Sequence, residues 1–268
     1  MLRIAGLALA MALSAAPAAA DQEATPDPLR SVMWDDMRAV ILGGGTVLFD
    51  QRVRVTAPAS AEDALNVPVM VDASSLEAES KVEEIVVFAD MNPIPRILNY
   101  RPASAKPVIG LRLKLQQATP IRAAARTADG VWHVGGVFVD AAGGGCTSPA
   151  LAHGDPQWER HLGEVQARAW GQAADGAVRV RFRIRHPMDT GLAPGIPAFY
   201  LENLAVHDGQ GRELGRIDTF EPVSENPVFT LEVSPSPASR ALRLTGRDNN
   251  GTPVQADIPL PWRQSALP

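Results

Sequence analysis

Apolar residues along most of this chain recur at every second position, in short runs separated by Gly, Pro, Asn and Asp. The clearest run covers residues 177–186, where Val, Phe and Ile alternate with four arginines. Such alternation is typical of β-strands with one buried face, and the interrupting residues are typical of turns. The strands form two blocks, so the pattern predicts an all-β fold of two immunoglobulin-like β-sandwich domains.

The predicted strands differ in how regularly apolar and polar residues alternate along them. In the strand 108–117, apolar residues alternate with polar ones, and Lys114 and Gln116 are expected on the polar face. Asn250 and Gly251 predict a tight hairpin, because this pair tolerates the positive φ of such turns. The predicted strands are 47–49, 53–55, 67–72, 83–90, 108–117, 119–127, 131–140, 164–171, 177–186, 198–208, 227–233, 241–248 and 253–260.

One segment follows a helical period instead. Between Val32 and Ile41, apolar residues recur at the spacing of one helix face. Asp27 is a candidate N-cap and Gly43 a candidate stop, because Asp accepts hydrogen bonds from free N–H groups and Gly tolerates a left-handed backbone. The sequence therefore predicts one N-terminal helix.

The first twenty residues have the three-part order of a secretory signal peptide. Arg3 precedes an apolar run from Ile4 to Leu13, and small residues follow as far as Ala20. The apolar run is shorter than the roughly 20 residues that span a bilayer, so we expect removal of residues 1–20 and no membrane span. The predicted location is an exported compartment, the bacterial periplasm. The alternative is a cytoplasmic N-terminal helix.

Composition and motif spacing narrow the expected chemistry. Lys and Arg number 25 against 30 Asp and Glu, a formal net charge of −5, and no basic stretch is interleaved with aromatic residues; nucleic acid is therefore not an expected partner. Strands do not alternate with helices, so no dinucleotide cofactor is expected. His153, Asp155 and His161 lack the spacing of a zinc site, so no metal is expected. The missing Gly-x-Ser-x-Gly motif disfavours a hydrolase.

The chain contains a single cysteine, Cys146, which follows Gly143, Gly144 and Gly145 at the junction of the two blocks. One cysteine cannot form an internal disulfide, and glycines leave both backbone and sulfur unrestrained. No Lys or Arg lies within ten residues, and His153 is the nearest candidate base. We therefore expect a mobile, reachable thiol on a flexible arm, acted on by other enzymes. The alternatives are an intermolecular bridge and an inert residue without a role.

The arginines of the run 177–186 form a second candidate feature. Arg179, Arg181, Arg183 and Arg185 occupy alternate positions, so they are expected on one face of the strand. A row of guanidinium groups attracts anions, either an anionic adduct or an acidic partner. The alternative is an ordinary solvated face of a sheet.

Several separated motifs give the two blocks a family resemblance. The second block resembles the sulfur-oxidation subunit SoxZ, and the first is similar to SoxY. The SoxZ-like motifs are RIRHPMDTGL (183–192), PAFYLENLAV (197–206), VSENPVFTLEV (223–233) and DNNG (248–251). The SoxY-like motifs are VRVTAPASAEDALNVPVMVDA (53–73), FADMNPIPRILNY (88–100) and ADGVWHVGGVFVDAAGGGC (128–146). The expected domains are a SoxY-like sandwich over 27–146, a linker over 147–159 and a SoxZ-like sandwich over 160–262.

This resemblance implies a covalent sulfur carrier without catalytic activity of its own. SoxY holds thiosulfate-derived sulfur on a cysteine in a terminal glycine-rich tail, and Cys146 occupies the matching position on the arm Gly143–Gly145. The implied partners are periplasmic sulfur-oxidation enzymes, or a c-type cytochrome or quinoprotein dehydrogenase. In this chain the arm continues through Thr147 and Ser148 into the second block. The alternative function is a non-carrier interaction module that assists a quinoprotein dehydrogenase or its cytochrome.

Overall fold

The computed structural model describes residues 26–171 and 176–261, so the predicted signal peptide, residues 1–20, lies outside the described residues. Within those two ranges the chain forms one α-helix, three short 3-10 helices and eighteen β-strands. The bounds are α1 Trp34–Leu42, β1 Val47–Phe49, β2 Arg54–Thr56, β3 Ser60–Ala61, β4 Val67–Asp72, η1 Ser74–Ala78, β5 Val82–Ala89, β6 Arg96–Arg101, β7 Ala105–Leu113, β8 Thr119–Thr127, β9 Trp132–Ala141, η2 Leu151–Gly154, η3 Trp158–His161, β10 Val165–Trp170, β11 Val178–Ile184, β12 Asp189–Thr190, β13 Ala198–Phe199, β14 Leu201–His207, β15 Glu213–Thr219, β16 Val228–Val233, β17 Ala241–Asp248 and β18 Pro253–Pro259.

The strands form two large sheets, and the predicted all-β class with one helix is confirmed. The first sheet has the order β1-β9-β8-β5-β6-β15-β14-β17-β18, with β3 also pairing with β9, and the second has the order β10-β11-β16-β7-β4-β2. The predicted hairpin between β17 and β18 is present, with Gly251 at φ 87°. No helix in the described ranges combines the length and the hydropathy needed to cross a bilayer.

Hydrogen-bonded strands join the two sequence blocks in both sheets. In the first sheet β6 pairs with β15, with Tyr100 opposite Ile217. In the second sheet β7 pairs with β16, with Ile109 opposite Leu231. Both sheets therefore run through both blocks, and one buried apolar cluster contains residues of each.

The sequence predicted neither β6 nor β15, which together form one of these joints. Residues 97–100 of β6 are all buried, so no alternation of polar and apolar residues marks this strand. In β15, Gly215 lies against Tyr100 so closely that a Cβ there would be 3.2 Å from a carbon of the ring. These two strands are shaped by contact with each other, and neither has the pattern of a strand with one solvated face.

The N-terminal helix ends where the sequence predicts, but it begins differently. Gly43 ends α1 in a left-handed conformation at φ 66°. The predicted N-cap, Asp27, is wrong, because Met33 occupies that position and makes no side-chain capping bond. The carboxylate of Asp27 instead accepts the N–H groups of Leu29 at 3.1 Å and Ser31 at 2.7 Å, which forms a turn before the helix.

A buried arginine connects that turn to the first sheet. The guanidinium of Arg122, on β8, is 1% exposed and lies 2.7 Å from Asp27 and 3.0 Å from Asp90. It also lies 4.5 Å from the ring centre of Trp34, at the start of α1. A buried charge needs such partners to offset the loss of hydration, so Arg122 ties the N-terminal segment to the sheet.

Replacing Arg122 by Met should reduce the free energy of unfolding by about 3–5 kcal/mol, because two carboxylates would be left without their buried partner. The matched control is Arg126→Met on the same strand. Arg126 is partly exposed and pairs with Glu83 at 3.0 Å, so its loss should cost less than about 1 kcal/mol. Urea unfolding of the three proteins at neutral pH measures both changes, and equal losses would contradict this role of Arg122.

Candidate functional site around Cys146

The glycine-rich arm is an ordered part of the fold. The N–H of Gly144 donates to the carbonyl of Gln116 at 3.0 Å, and the N–H of Gly145 donates to that of Leu115 at 3.0 Å. Gly143 and Gly144 have φ angles of 95° and 79°, which residues with a side chain rarely adopt. The glycines thus let the chain turn back along the segment that follows β7.

Gly145 is required by close packing. A Cβ at this position would lie 2.2 Å from the carbonyl oxygen of Ala64 and 2.6 Å from that of Leu115. Both obstacles are backbone atoms, which cannot rotate away. The sequence suggested that the glycines keep the arm free, whereas in the structure this glycine lets the arm sit directly against neighbouring chain.

The sulfur of Cys146 is fully buried, with 0% of the residue exposed. Its Sγ lies 3.8 Å from the carbonyl oxygen of Lys114, and its N–H donates to Oε1 of Gln116 at 3.2 Å. Its carbonyl accepts a hydrogen bond of 2.5 Å from the hydroxyl of Thr190, in the second block. The expectation of a mobile, reachable thiol is therefore wrong for this conformation, because the continuing chain fastens the arm at both ends.

Burial also makes the thiol unreactive. It raises the pKa of Cys146 to about 11, and the ammonium of Lys114 acts weakly in the opposite direction. The thiolate is the nucleophilic form of cysteine, so the folded thiol is almost entirely inactive at neutral pH. Lys114 was expected on a polar face but is 1% exposed. Burial lowers the pKa of its amine, and its Nζ donates to the carbonyl of Met188.

Residues 147–154, which we call the strap, follow Cys146 and are bound to the second block. The N–H of Leu151 donates to Glu225 at 2.6 Å. Nε2 of His153 lies 2.9 Å from the buried carboxylate of Asp189, which also accepts the N–H of Ala150 at 3.4 Å. His153, the nearest candidate base in sequence, is thus engaged by Asp189 and makes no hydrogen bond to the sulfur.

Sequence families match the two blocks separately. The family described as "Sulfur oxidation protein SoxY" matches residues 38–146, and the family described as "Sulphur oxidation protein SoxZ" matches residues 167–258. The chain is a fusion of a SoxY domain and a SoxZ domain. The SoxY match ends at Cys146 itself, so the strap belongs to the connection between the two family domains.

The SoxY domain is also similar to a solved structure. The structure entitled "Structure of the sulfur carrier protein SoxY from Chlorobium limicola f thiosulfatophilum" is similar over 41% of this chain and 96% of that chain, with 21% identity and a TM-score of 0.36. No curated protein matches the fusion chain.

Two of the SoxZ-domain residues that hold the arm and the strap, Thr190 and Asp189, come from one short motif, RHPMDTG (185–191). Asp189 and Thr190 lie in the short strand β12. The ring of His186 is buried at 4.5 Å from the ring of Phe199, and its Nδ1 accepts the N–H of Met188 at 3.1 Å. This motif therefore shapes the wall against which Lys114 and Cys146 pack.

The residues weighed as metal ligands each have another partner. His161 binds Glu164 at 2.7 Å, and Asp155 accepts the N–H of Gln157 at 2.9 Å. Among residues 26–171 and 176–261, no group of three or more His, Cys, Asp and Glu side chains is arranged to hold a metal ion.

Gly145→Ala should expose the thiol of Cys146, because the new Cβ collides with two backbone carbonyls. We expect the wild-type thiol to react with iodoacetamide at pH 7 at least about 100-fold more slowly than in the urea-unfolded chain, since its pKa is raised and its sulfur is covered. The variant should approach the unfolded rate while its circular dichroism spectrum stays native.

The matched control is Gly154→Ala in the strap. A methyl group added at position 154 would have no heavy atom within 4 Å, and the backbone there has no positive φ, so this variant should react at the wild-type rate. Equal rates for Gly145→Ala and the wild type would show that the close packing of residue 145 does not hold the arm.

Acidification should destabilise the protein through His186. Burial lowers the pKa of His186 to about 4, partly opposed by Asp248, whereas an unfolded histidine has a pKa of about 6.5. Between these values the unfolded chain binds a proton that the folded chain does not, so the free energy of unfolding falls as the pH is lowered from about 6.5 to 4.

The variant His186→Asn retains an acceptor for the N–H of Met188 but cannot titrate. Urea unfolding at several pH values between 7 and 4.5 should therefore give a flatter stability profile for the variant than for the wild type. Parallel profiles for the two proteins would refute the assignment of this pH dependence to His186.

Proposed function

We propose that this fusion is a periplasmic carrier in which Cys146 holds a sulfur intermediate covalently and presents it to partner redox enzymes. The chain belongs to the sulfur-oxidation carrier family by both of its domains. The observation that carries the proposal is the position of the single cysteine, at the last residue of the SoxY match. The arm around it is bound by residues of the SoxZ domain, so both domains control the same atom.

The loading step joins Cys146 to a sulfur anion with loss of two electrons. The thiolate of Cys146 and thiosulfate form one S–S bond, giving Cys–S–S–SO₃⁻. The two electrons pass to a partner redox protein, a c-type cytochrome or a quinoprotein dehydrogenase system. The carrier supplies the nucleophile and the partner supplies the oxidant, so the carrier needs no catalytic residues of its own.

In this proposal the closed conformation is the resting state of the carrier, since Cys146 is fully buried and the chain around it is bonded to the SoxZ domain. Loading requires the strap to leave the SoxZ domain, which breaks the bonds of Thr190 to Cys146, of His153 to Asp189 and of Leu151 to Glu225. Three such hydrogen bonds together contribute on the order of 3–5 kcal/mol. The open state is then a minor population that a partner stabilises by binding it.

The burial of Cys146 also favours a second function. A thiol that stays covered transfers nothing, and the two joined sandwiches would then act as an interaction module that assists a quinoprotein dehydrogenase or its cytochrome. The carrier function requires the sulfur of Cys146, whereas the interaction module does not. Replacing Cys146 therefore distinguishes the two functions.

Mass spectrometry of protein purified from its native periplasm tests the carrier function. In cells supplied with thiosulfate, we expect an S₂O₃ adduct on the peptide that contains Cys146, and its loss in Cys146→Ser together with sulfur oxidation. If the wild type contains only free thiol or a symmetric disulfide dimer, and Cys146→Ser still supports the pathway, the interaction module is the correct function.

The same assay tests the opening step with a pair of threonine variants. Thr190→Val removes the hydrogen bond to the carbonyl of Cys146 and should increase the adduct yield at short times. Thr245→Val, on β17 of the first sheet, is the same substitution at a residue that makes none of the bonds of the arm or the strap, and it should match the wild type. A lower yield for Thr190→Val alone would indicate that the bound arm is the form that is loaded.

A further inference from the structure

The outer face of the second sheet contains a group of exposed arginines. In β11 the predicted alternation is confirmed, because its apolar residues are buried and its arginines are exposed. Arg185 lies beyond the end of the strand, so the row on this face is shorter than the sequence indicated. We use the name arginine face for a group of four residues, which are Arg112 on β7, Arg168 on β10, and Arg181 and Arg183 on β11.

Strand register places these four side chains on one side of the sheet. Arg168 is directly opposite Arg181 in the pairing of β10 with β11. Arg181 is opposite Thr230 of β16, which is opposite Gly110 of β7. Opposed residues in neighbouring strands project from the same face, and Arg112, two residues after Gly110, shares that face.

The arginine face lacks an acidic partner within the part of the chain that the structure describes. Next to it, Arg179 pairs with Glu232 at 2.5 Å. No carboxylate of residues 26–171 or 176–261 lies within ion-pair distance of the four arginines. Their side-chain bonds are to neutral groups, from Arg181 to Thr230 and from Arg112 to Asn66, both at 3.3 Å.

Holding like charges in this way costs stability. Directly opposed like charges on neighbouring strands are destabilising, and Arg168 and Arg181 are such a pair. The whole chain has 30 acidic residues and a net charge of −5, yet none of the described carboxylates neutralises this face. An acidic group brought to this face from outside would relieve that repulsion.

We propose that the arginine face docks an acidic surface of a partner protein. The face crosses four strands, from β10 to β7, so its charges extend over roughly 14 Å at the usual strand spacing. A single small oxyanion contacts one or two guanidinium groups, whereas carboxylates spread over a protein surface match the whole width.

The shape of the face supports the same occupant. An open groove of about 630 Å³ is lined by all four arginines together with Trp170. Trp and Arg are, with Tyr, enriched at the energetic centres of protein interfaces. A half-buried indole beside unpaired guanidinium groups thus combines an apolar anchor with electrostatic steering.

The groove also leads towards the arm. A neighbouring cavity of about 530 Å³ shares Arg112 and Arg183 with the groove and is lined as well by Lys114 and by Leu151 of the strap. Its two acidic residues, Asp63 and Glu225, accept the N–H groups of Leu65 and Leu151. A protein docked on the arginine face therefore lies beside the strap, although docking itself does not depend on whether Cys146 carries sulfur.

The test measures binding of a fluorescent decapeptide of alternating Glu and Ser to the full mature chain. Arg168→Gln/Arg181→Gln should weaken binding about 10-fold, since two exposed ion pairs are lost. The matched control, Arg243→Gln/Arg247→Gln, removes the same charge from β17, where the arginines already pair with Asp257 and Glu202. This control should bind within about 2-fold of the wild type.

Two further readouts separate docking from general charge and from structure. The thermal midpoint of Arg168→Gln/Arg181→Gln should equal or exceed that of the wild type, because a like-charge pair is removed. Equal weakening by both double variants, or none by either, would overturn the proposal. So would saturable binding of inorganic sulfate at this face that displaces the peptide at low millimolar concentration, which would identify a small oxyanion site.

Discussion

The structure depends on the pairing of β6 with β15 and of β7 with β16. Each pairing crosses from the SoxY domain to the SoxZ domain, so both sheets are continuous through the molecule. Backbone hydrogen bonds fix the two domains in register. The two domains also share one buried apolar cluster, so separating them would expose that cluster to water. This arrangement places the RHPMDTG motif of one domain against the arm of the other, where a few contacts then decide whether the sulfur is covered.

The environment of Cys146 follows from that placement. The strap is anchored at the arm by close packing of Gly145 and at the SoxZ domain by Asp189 and Glu225. Between these anchors the thiol is covered, with a pKa raised to about 11. A chain end would leave such a position readily. A segment held at both sides leaves it only when a set of hydrogen bonds breaks together, so the reactivity of the sulfur becomes a property of the domain interface.

Local sequence patterns predicted the parts of the molecule that have one solvated face. The alternation in β11 and the stop at Gly43 are both present in the structure. Contacts between distant segments decided the rest. Lys114 alternates as a polar residue should, yet the SoxZ domain covers it. Gly145 belongs to a glycine-rich segment whose composition is typical of a flexible arm. In the structure, however, two carbonyl oxygens from elsewhere in the chain leave no space for a side chain at this position. The pattern of residues within one segment does not predict which distant segment will pack over it.

The joint between the domains has a consequence for the assembly as a whole. Two separate subunits that pair through strand edges dissociate when their concentration falls below their dissociation constant. In the fusion, the covalent connection makes the same pairing intramolecular, with an effective concentration that dilution does not lower. In the folded fusion β15 and β16 cover the edges of β6 and β7, and every molecule contains both halves in a one-to-one ratio. Assembly of the two halves thus needs no encounter between separately made chains.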